Sequence, residues 1–327
     1  MYKVAISQAS LTRRCIFSAQ STALLSKHST NSQNHHQRRQ ISQGFWHDVS
    51  SSTPVCAMQD AIMQLHDASG LPWWSTIIVS TVLLRGLITF PLAVYQLKIL
   101  AKVEKITGEM PEIVKELKME TAHAIKKFNW NEQQARYTYN RSLKKQWNNL
   151  VVRDNCHPVK AGIVIIFQIP LWLTQSWAIR NLIYMQPDPT SITAQMAFSG
   201  MLVGGFGFVP NLTEVDHSLI LPISLGVLNL TIIEIQKMSR KVQVSSKLQT
   251  YATNFFRLFS VVMVPIAASV PSGLCLYWVA SSTFGLAQNL LLLSPRLKRM
   301  SNIPKVNSEL DKPYSFLVDR IKERFGK

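Results

Sequence analysis

The longest apolar run of the chain carries a single charge at its middle. The run extends from Leu71 to Tyr95, and Arg85 is its only charged residue. It is long enough to cross a bilayer as a helix, which takes about 20 apolar residues. Arg85 lies 12 residues from Trp73 and 10 from Tyr95. At a helical rise of about 1.5 Å per residue, both ends are roughly 15–18 Å away. That exceeds an easy reach of the side chain to the interface. A charge at that depth is expensive, and it characteristically faces a protein interior or a wet cavity. A shifted or tilted helix that brings Arg85 to the headgroups is the alternative.

Four further apolar stretches follow, near 161–183, 217–235, 255–270 and 272–293. Inside lipid only helices and closed barrels satisfy the backbone. These runs are continuous rather than alternating, so they read as helices, with Pro271 turning the last two into a tight pair. Trp73, Trp74, Trp177, Tyr184, Tyr277 and Trp278 fall toward span ends or in the last pair, as interfacial aromatics often do, with packing as the alternative role for some. The connections test the count. Residues 96–160 hold 13 Lys and Arg, the loop 237–250 holds four, and the tail from Ser294 holds nine. Residues 184–216 hold none, but carry Asp188, Glu214 and Asp216. Basic and non-basic connections alternate, so five spans place the N-terminus outside and the C-terminus inside.

The net charge of +17 follows from 35 Lys and Arg against 18 Asp and Glu. The cations flank apolar spans, which points to membrane topology rather than to nucleic acid. Residues 1–47 are basic and hydroxylated, and the first acid is Asp48. This is the pattern of a mitochondrial transit peptide, with chloroplast import or a plain basic tail as alternatives. Inside then means the matrix. Cys15, Cys56, Cys156 and Cys275 lack metal-ligand or disulfide spacing. Cys156-His157 reads as a loop thiol beside a solvated histidine.

Residues 96–158 are too long for a simple loop. Ile106, Met110, Ile113, Leu117, Ile125 and Phe128 recur at helical spacing, as do Tyr139, Leu143, Trp147 and Leu150. Asn129-Trp130-Asn131 reads as a break, and Pro111 is expected to interrupt or restart the first helix. The spacing predicts two amphipathic helices folded back on each other at the matrix surface, packed through their apolar stripes.

The order of parts resembles the YidC/Oxa/Alb membrane-protein insertase family. Leu84-Arg85-Gly86-Leu87-Ile88-Thr89-Phe90-Pro91-Leu92 is similar to its first core span, and Met110-Pro111-Glu112-Ile113-Val114-Lys115-Glu116-Leu117 to the start of its polar hairpin. His157-Pro158 and Gln168-Ile169-Pro170-Leu171-Trp172 resemble its second span, and Leu221-Pro222 its third. Val270-Pro271-Ser272-Gly273-Leu274-Cys275-Leu276-Tyr277-Trp278, followed by Gln288, resembles its last. The expected fold is an all-α membrane protein of five transmembrane helices, with a matrix-side amphipathic hairpin between the first and second spans. The expected organisation is a leader over 1–47, an intermembrane-space segment over 48–70, a core over 71–295 that includes the hairpin 96–158, and a matrix tail over 296–327.

The tail is short and contains Glu309, Asp311, Asp319 and Glu323, unlike the long basic ribosome-binding arm of the family's general branch. The resemblance therefore favours the cytochrome oxidase assembly branch, whose client would be subunit two of cytochrome c oxidase. The partners implied are hydrophobic membrane-protein clients and the lipid bilayer. The alternatives are a general inner-membrane insertase or an anion transporter. The resemblance implies a hydrated substrate groove with Arg85 as its fixed charge. Gln168, Gln175, Asn229, Gln288 and Asn289 extend its polar lining if they face the same cavity, and each has interhelical hydrogen bonding as its alternative. Glu234 reads as a solvated helix-end residue, with pairing to a basic neighbour as its alternative, while Arg180 and Arg257 lie near span ends where snorkelling suffices. No nucleotide loop, catalytic constellation, metal site or cofactor motif is read, so the chain is expected not to be an enzyme.

Overall fold

The computed structural model describes residue 44 and residues 47–239 and 247–326. The leader assigned to 1–47 lies outside the described residues, save 44 and 47, as do Arg240 and Lys241 of the basic loop. Among the described residues the structure is helical, with two isolated bridge pairs, Phe206–Val209 and Val215–Pro271. The main helices are α1 (Thr53–Ser69), α2 (Trp73–Leu84), α3 (Phe90–Phe128), α4 (Glu132–Arg153), α5 (Pro158–Ala161), α6 (Ile163–Ile183), α7 (Ile192–Val203), α8 (Ile220–Met238), α9 (Lys247–Ala268), α10 (Ser272–Leu293), α11 (Pro295–Met300) and α12 (Pro313–Phe325). A π-helical turn, Arg85–Thr89, joins α2 to α3, so one continuous helix runs from Trp73 to Phe128.

Among the described residues, four helices are long and apolar enough to cross a membrane: Trp73–Phe128, Pro158–Ile183, Ile220–Met238 and Thr250–Ala268. In each, only 17–28% of the most apolar window is buried by protein, and Leu87, Phe167, Val227 and Phe255 are exposed. So much apolar surface on one molecule needs lipid to cover it. α10 is 22 residues long, about 33 Å of helix. Ser281, Ser282, Thr283, Gln288 and Asn289 make it less apolar than those four.

The chain divides into two compact units. The first comprises the residues up to 83 together with 169–229 and 258–283. Its core gathers Ile62 of α1, Ile77 of α2, Ile179 and Leu182 of α6, Met201 of α7 and Leu225 of α8 around the buried first turns of α10. Those turns are possible because the preceding connection satisfies their backbone donors, as a buried helix start requires. Ser272 N–H donates to Glu214 O at 2.6 Å and Gly273 N–H to Leu212 O at 2.9 Å. Tyr277 and Trp278 are therefore packing residues rather than interfacial ones. The Tyr277 hydroxyl donates to Trp172 O at 3.2 Å, and Trp278 stacks on Trp172. Asp216 caps α8, accepting the N–H groups of Ser218 and Leu221 at 2.9 Å each.

The connection 184–216 holds a helix, α7. Its 12 residues are apolar but too few to span a bilayer. It packs through Gly200, where a Cβ would overlap the indole of Trp73. Trp73 is buried and stacks on His66 with ring centroids 4.0 Å apart.

The second unit comprises 84–168, 230–257 and 284–327. In it α3 runs unbroken through Pro111, contrary to the expected interruption. The residues four and three before the proline, Thr107 and Gly108, are exposed, so the carbonyl left without its usual donor is open to solvent. α3 ends on Asn129 in the left-handed conformation, and α4 starts with a capping box between Asn131 and Gln134. The two helices pack through Ile99, Ile106, Trp147 and Leu150, with Glu109 paired to Arg153 at 3.0 Å. Hydrogen bonds from Arg153 hold the Asp154 carboxyl below the usual carboxylate range. The apolar stripe is not covered to its end, because Ile125 and Phe128 are exposed. Cys156 lies in the connection between α4 and α5, as expected, but it is fully buried in this core, and burial pushes its thiol pKa up. The reason is local: the turn at Asp154–Asn155 folds the chain inward, while His157 stays exposed and accepts from Val159 N–H.

The glycine-rich turn after α7 should be the least tolerant part of the first unit. A Cβ at Gly205 would overlap the carbonyl oxygens of Val209 and Pro210, whereas Gly207 has open space and a φ of +44°. Gly205→Ala should lower the thermal midpoint in detergent by the equivalent of about 2–3 kcal/mol, and Gly207→Ala by about 1 kcal/mol. Equal midpoints for the two variants would contradict this packing.

Candidate functional site

Arg85 stands at the first position of the π turn, and the sequence explains the turn. Pro91 has no N–H to donate to Leu87, and its ring presses on the carbonyl four residues back. Widening the helix over one turn relieves that clash. Phe90 N–H bonds to Arg85 O, and the Thr89 hydroxyl donates to the same oxygen at 2.8 Å. Single π turns inside α-helices are frequent at functional positions. Arg85 is half-buried, between the exposed Leu83 and Leu87.

The six residues expected to line a groove separate into two groups. Gln175 and Asn229 belong to the first unit. Gln175 is buried and its Nε2 donates to Thr81 Oγ1 at 3.3 Å and Ser80 Oγ at 3.5 Å. Asn229 Oδ1 accepts from the Ser282 hydroxyl at 2.9 Å. Both bonds join different helices, the second role open to them in the sequence. Arg85, Gln168, Gln288 and Asn289 belong to the second unit, and all are half-buried. Gln288 Oε1 is buried and has no hydrogen-bond partner among the described residues.

Glu234 is not a solvated helix end. Its carboxylate pairs with Arg257, and both side chains are about a quarter exposed. α8 and α9 bring the two to the same level, so Arg257 needs no headgroup. Arg180 lies over the rings of Trp177 and Tyr184, at 4.8 and 5.6 Å from their centroids.

A buried polar network in the first unit was not read from the sequence. Asn181 Nδ2 donates to Ser50 O at 2.9 Å and Gln59 Oε1 at 3.1 Å, and the Ser50 hydroxyl donates to Gln186 Oε1 at 3.0 Å. One signal was available: Asn181 is a polar residue just inside the end of an apolar run. Beside it, a cavity of about 500 Å³ is lined by Asp60, His66, Asp67, Trp73 and Thr193. Burial there pushes the Asp60 carboxyl pKa up.

A family model described as "60Kd inner membrane protein" matches residues 64–299, from within α1 to within α11. The chain belongs to this family, the YidC/Oxa/Alb family that its motifs resemble. Among curated relatives of the family, "Cytochrome c oxidase assembly protein COX18, mitochondrial" of Mus musculus is 45% identical over 84% of this chain and 81% of its own length. The Homo sapiens protein of that name is 41% identical over 86% and 83%. "Mitochondrial inner membrane protein OXA1-like" of Arabidopsis thaliana is 26% identical over 81% of this chain and 55% of its own length.

The role of Gln175 can be measured directly. A double-mutant cycle of Gln175→Leu and Thr81→Val should give a coupling of about 0.6 kcal/mol, and at most about 1.7 kcal/mol. A coupling of zero in detergent melts would remove the pairing as its role.

Proposed function

We propose that this chain is an insertase of the mitochondrial inner membrane that exports a hydrophilic client segment from the matrix, in support of cytochrome c oxidase assembly. The client is subunit two, whose C-terminal region crosses the membrane. The observation that carries this reading is Arg85, half-buried on a π turn inside an apolar helix. Relatives that carry an oxidase-assembly name at 41–45% identity support the branch, against 26% for the OXA1-like relative.

In this reading the protein has five spans, with α10 as the fifth. Its N-terminus is in the intermembrane space and its C-terminus in the matrix. The long polar helices α3 and α4 form the matrix-side hairpin. The loop charges support that orientation through the positive-inside rule.

The physical task is to move polar peptide across hydrocarbon. A lone charge at the bilayer centre costs at least a few kcal/mol. A fixed guanidinium in a hydrated groove offsets part of that cost for acidic residues of the client. Gln168, Gln288 and Asn289 are the polar residues of the second unit proposed to share this groove. The matrix is negative, so outward movement of an acidic residue gains about 2.3 kcal/mol per charge per 100 mV. The protein supplies a path, and no bond is made or broken.

Protease protection of newly made subunit two, in mitochondria lacking this protein, tests the reading. The C-terminal region should stay protected inside the inner membrane. Re-expressed Arg85→Ala should reach normal levels and slow export about tenfold or more, with Arg85→Lys in between. Normal export without the protein would end the proposal. Normal export with Arg85→Ala would end the role of the charge.

A further inference from the structure

Where α3 and α10 leave their apolar stretches, the second unit encloses a cavity of about 360 Å³. Leu97 and Leu100 of α3, Leu293 of α10 and Ile303, Val306 and Leu310 of the tail form its apolar walls. The volume falls within the range of small-molecule sites. Ser239, just after α8, also lines it. The tail is held over this place by named bonds. Ser308 N–H donates to Glu104 Oε1 at 3.1 Å, the Tyr314 hydroxyl donates to Leu290 O at 3.1 Å, and Ile303 is buried.

Three charged residues line the cavity: Glu104, Lys298 and Glu309. Glu309 is only 8% exposed. Its Oε2 pairs with Arg299, while its Oε1 is buried with no hydrogen-bond partner among the described residues. A buried carboxylate oxygen without a donor is costly even when the other oxygen is paired. Lys298 forms no ion pair among the described residues, and burial pulls its pKa down, with Glu309 partly opposing. The cavity thus asks for a cationic N–H donor at Glu309, an anion at Lys298 and an apolar body along its walls.

An ethanolamine phospholipid carries all three: an ammonium with three N–H donors, a phosphate, and a glycerol that leads to acyl chains. A serine headgroup adds a carboxylate, which Glu104 and Glu309 of the lining would repel. A choline headgroup has the same charges and no N–H to give. We propose that this cavity holds the headgroup of an ethanolamine phospholipid, its ammonium on Glu309 and its phosphate on Lys298. The lipid then tethers the tail to the helices that leave the membrane. Placing it in the matrix leaflet rests on the topology proposed above; the binding itself does not, and is measured on purified protein apart from any export assay.

The full chain, purified in detergent and stripped of lipid, is offered equal amounts of ethanolamine, N-methyl, N,N-dimethyl and choline phospholipids with identical chains. Native mass spectrometry reads what stays bound. Retention should fall stepwise as N–H donors are lost, to about tenfold less for choline. Glu309→Gln should abolish the preference, and Lys298→Met should lower retention of all four lipids together. Glu309→Gln also touches the Arg299 pair, so protease resistance of residues 296–326 is checked, and Lys298→Met decides where that resistance is lost. Equal retention of all four lipids by the unaltered protein overturns the proposal, as does retention unchanged in Lys298→Met. Full competition by soluble phosphoethanolamine, without any contribution of the chains, overturns the lipid as its source.

Discussion

A guanidinium in the middle of an apolar helix costs at least a few kcal/mol unless something hydrates or pairs it. Here the helix changes its winding at that same residue. Pro91 removes one backbone donor and crowds the turn before it, and the chain answers with the π turn Arg85–Thr89. The proline and the arginine are therefore one structural feature. A π turn widens the local helix and shifts the direction of the side chains that follow by a fraction of a turn. The exposed Leu87 and Ile88 and the half-buried Arg85 take their places from that shift. A regular α-helix with alanine at position 91 would present a different face over the same residues.

Several polar groups of the first unit are bonded inside it: Gln175 to Ser80 and Thr81, Asn181 to Ser50 and Gln59, Asn229 to Ser282. Where lipid is as apolar as the side chains, helices are held by close packing and such bonds rather than by the hydrophobic effect. Trp73 against Gly200 and Trp278 on Trp172 supply the close packing. Arg85 belongs to the other unit, whose long helices carry most of the charge between residues 96 and 160.

Four of the spans were legible because apolar length is an additive property of sequence. The start of α4 was legible for a local reason: Asn131 and Gln134 cap it reciprocally. Pro111 misled because its penalty depends on surroundings, and an exposed turn lets solvent take the orphan carbonyl. Helix α7 was missed because 12 apolar residues between turns suit a loop, a strand or a short helix equally well, and only Trp73 against Gly200 selects the helix. Glu234 and Arg257 lie 23 positions apart on different helices. Their pairing is a property of packing that no spacing rule contains.

The tail shows the same limit from the other side. It reads as too short and too mixed in charge for a basic arm, with four acids among nine Lys and Arg. In the structure one of those acids has a use. Glu309 is buried beside Arg299, whose charge compensates the cost of taking a carboxylate out of water. Once that pair forms, Ile303 and Leu317 can bury their side chains, and Ser308 meets Glu104 on α3. A cation at position 309 would set like charges together at Arg299 in place of this buried pair.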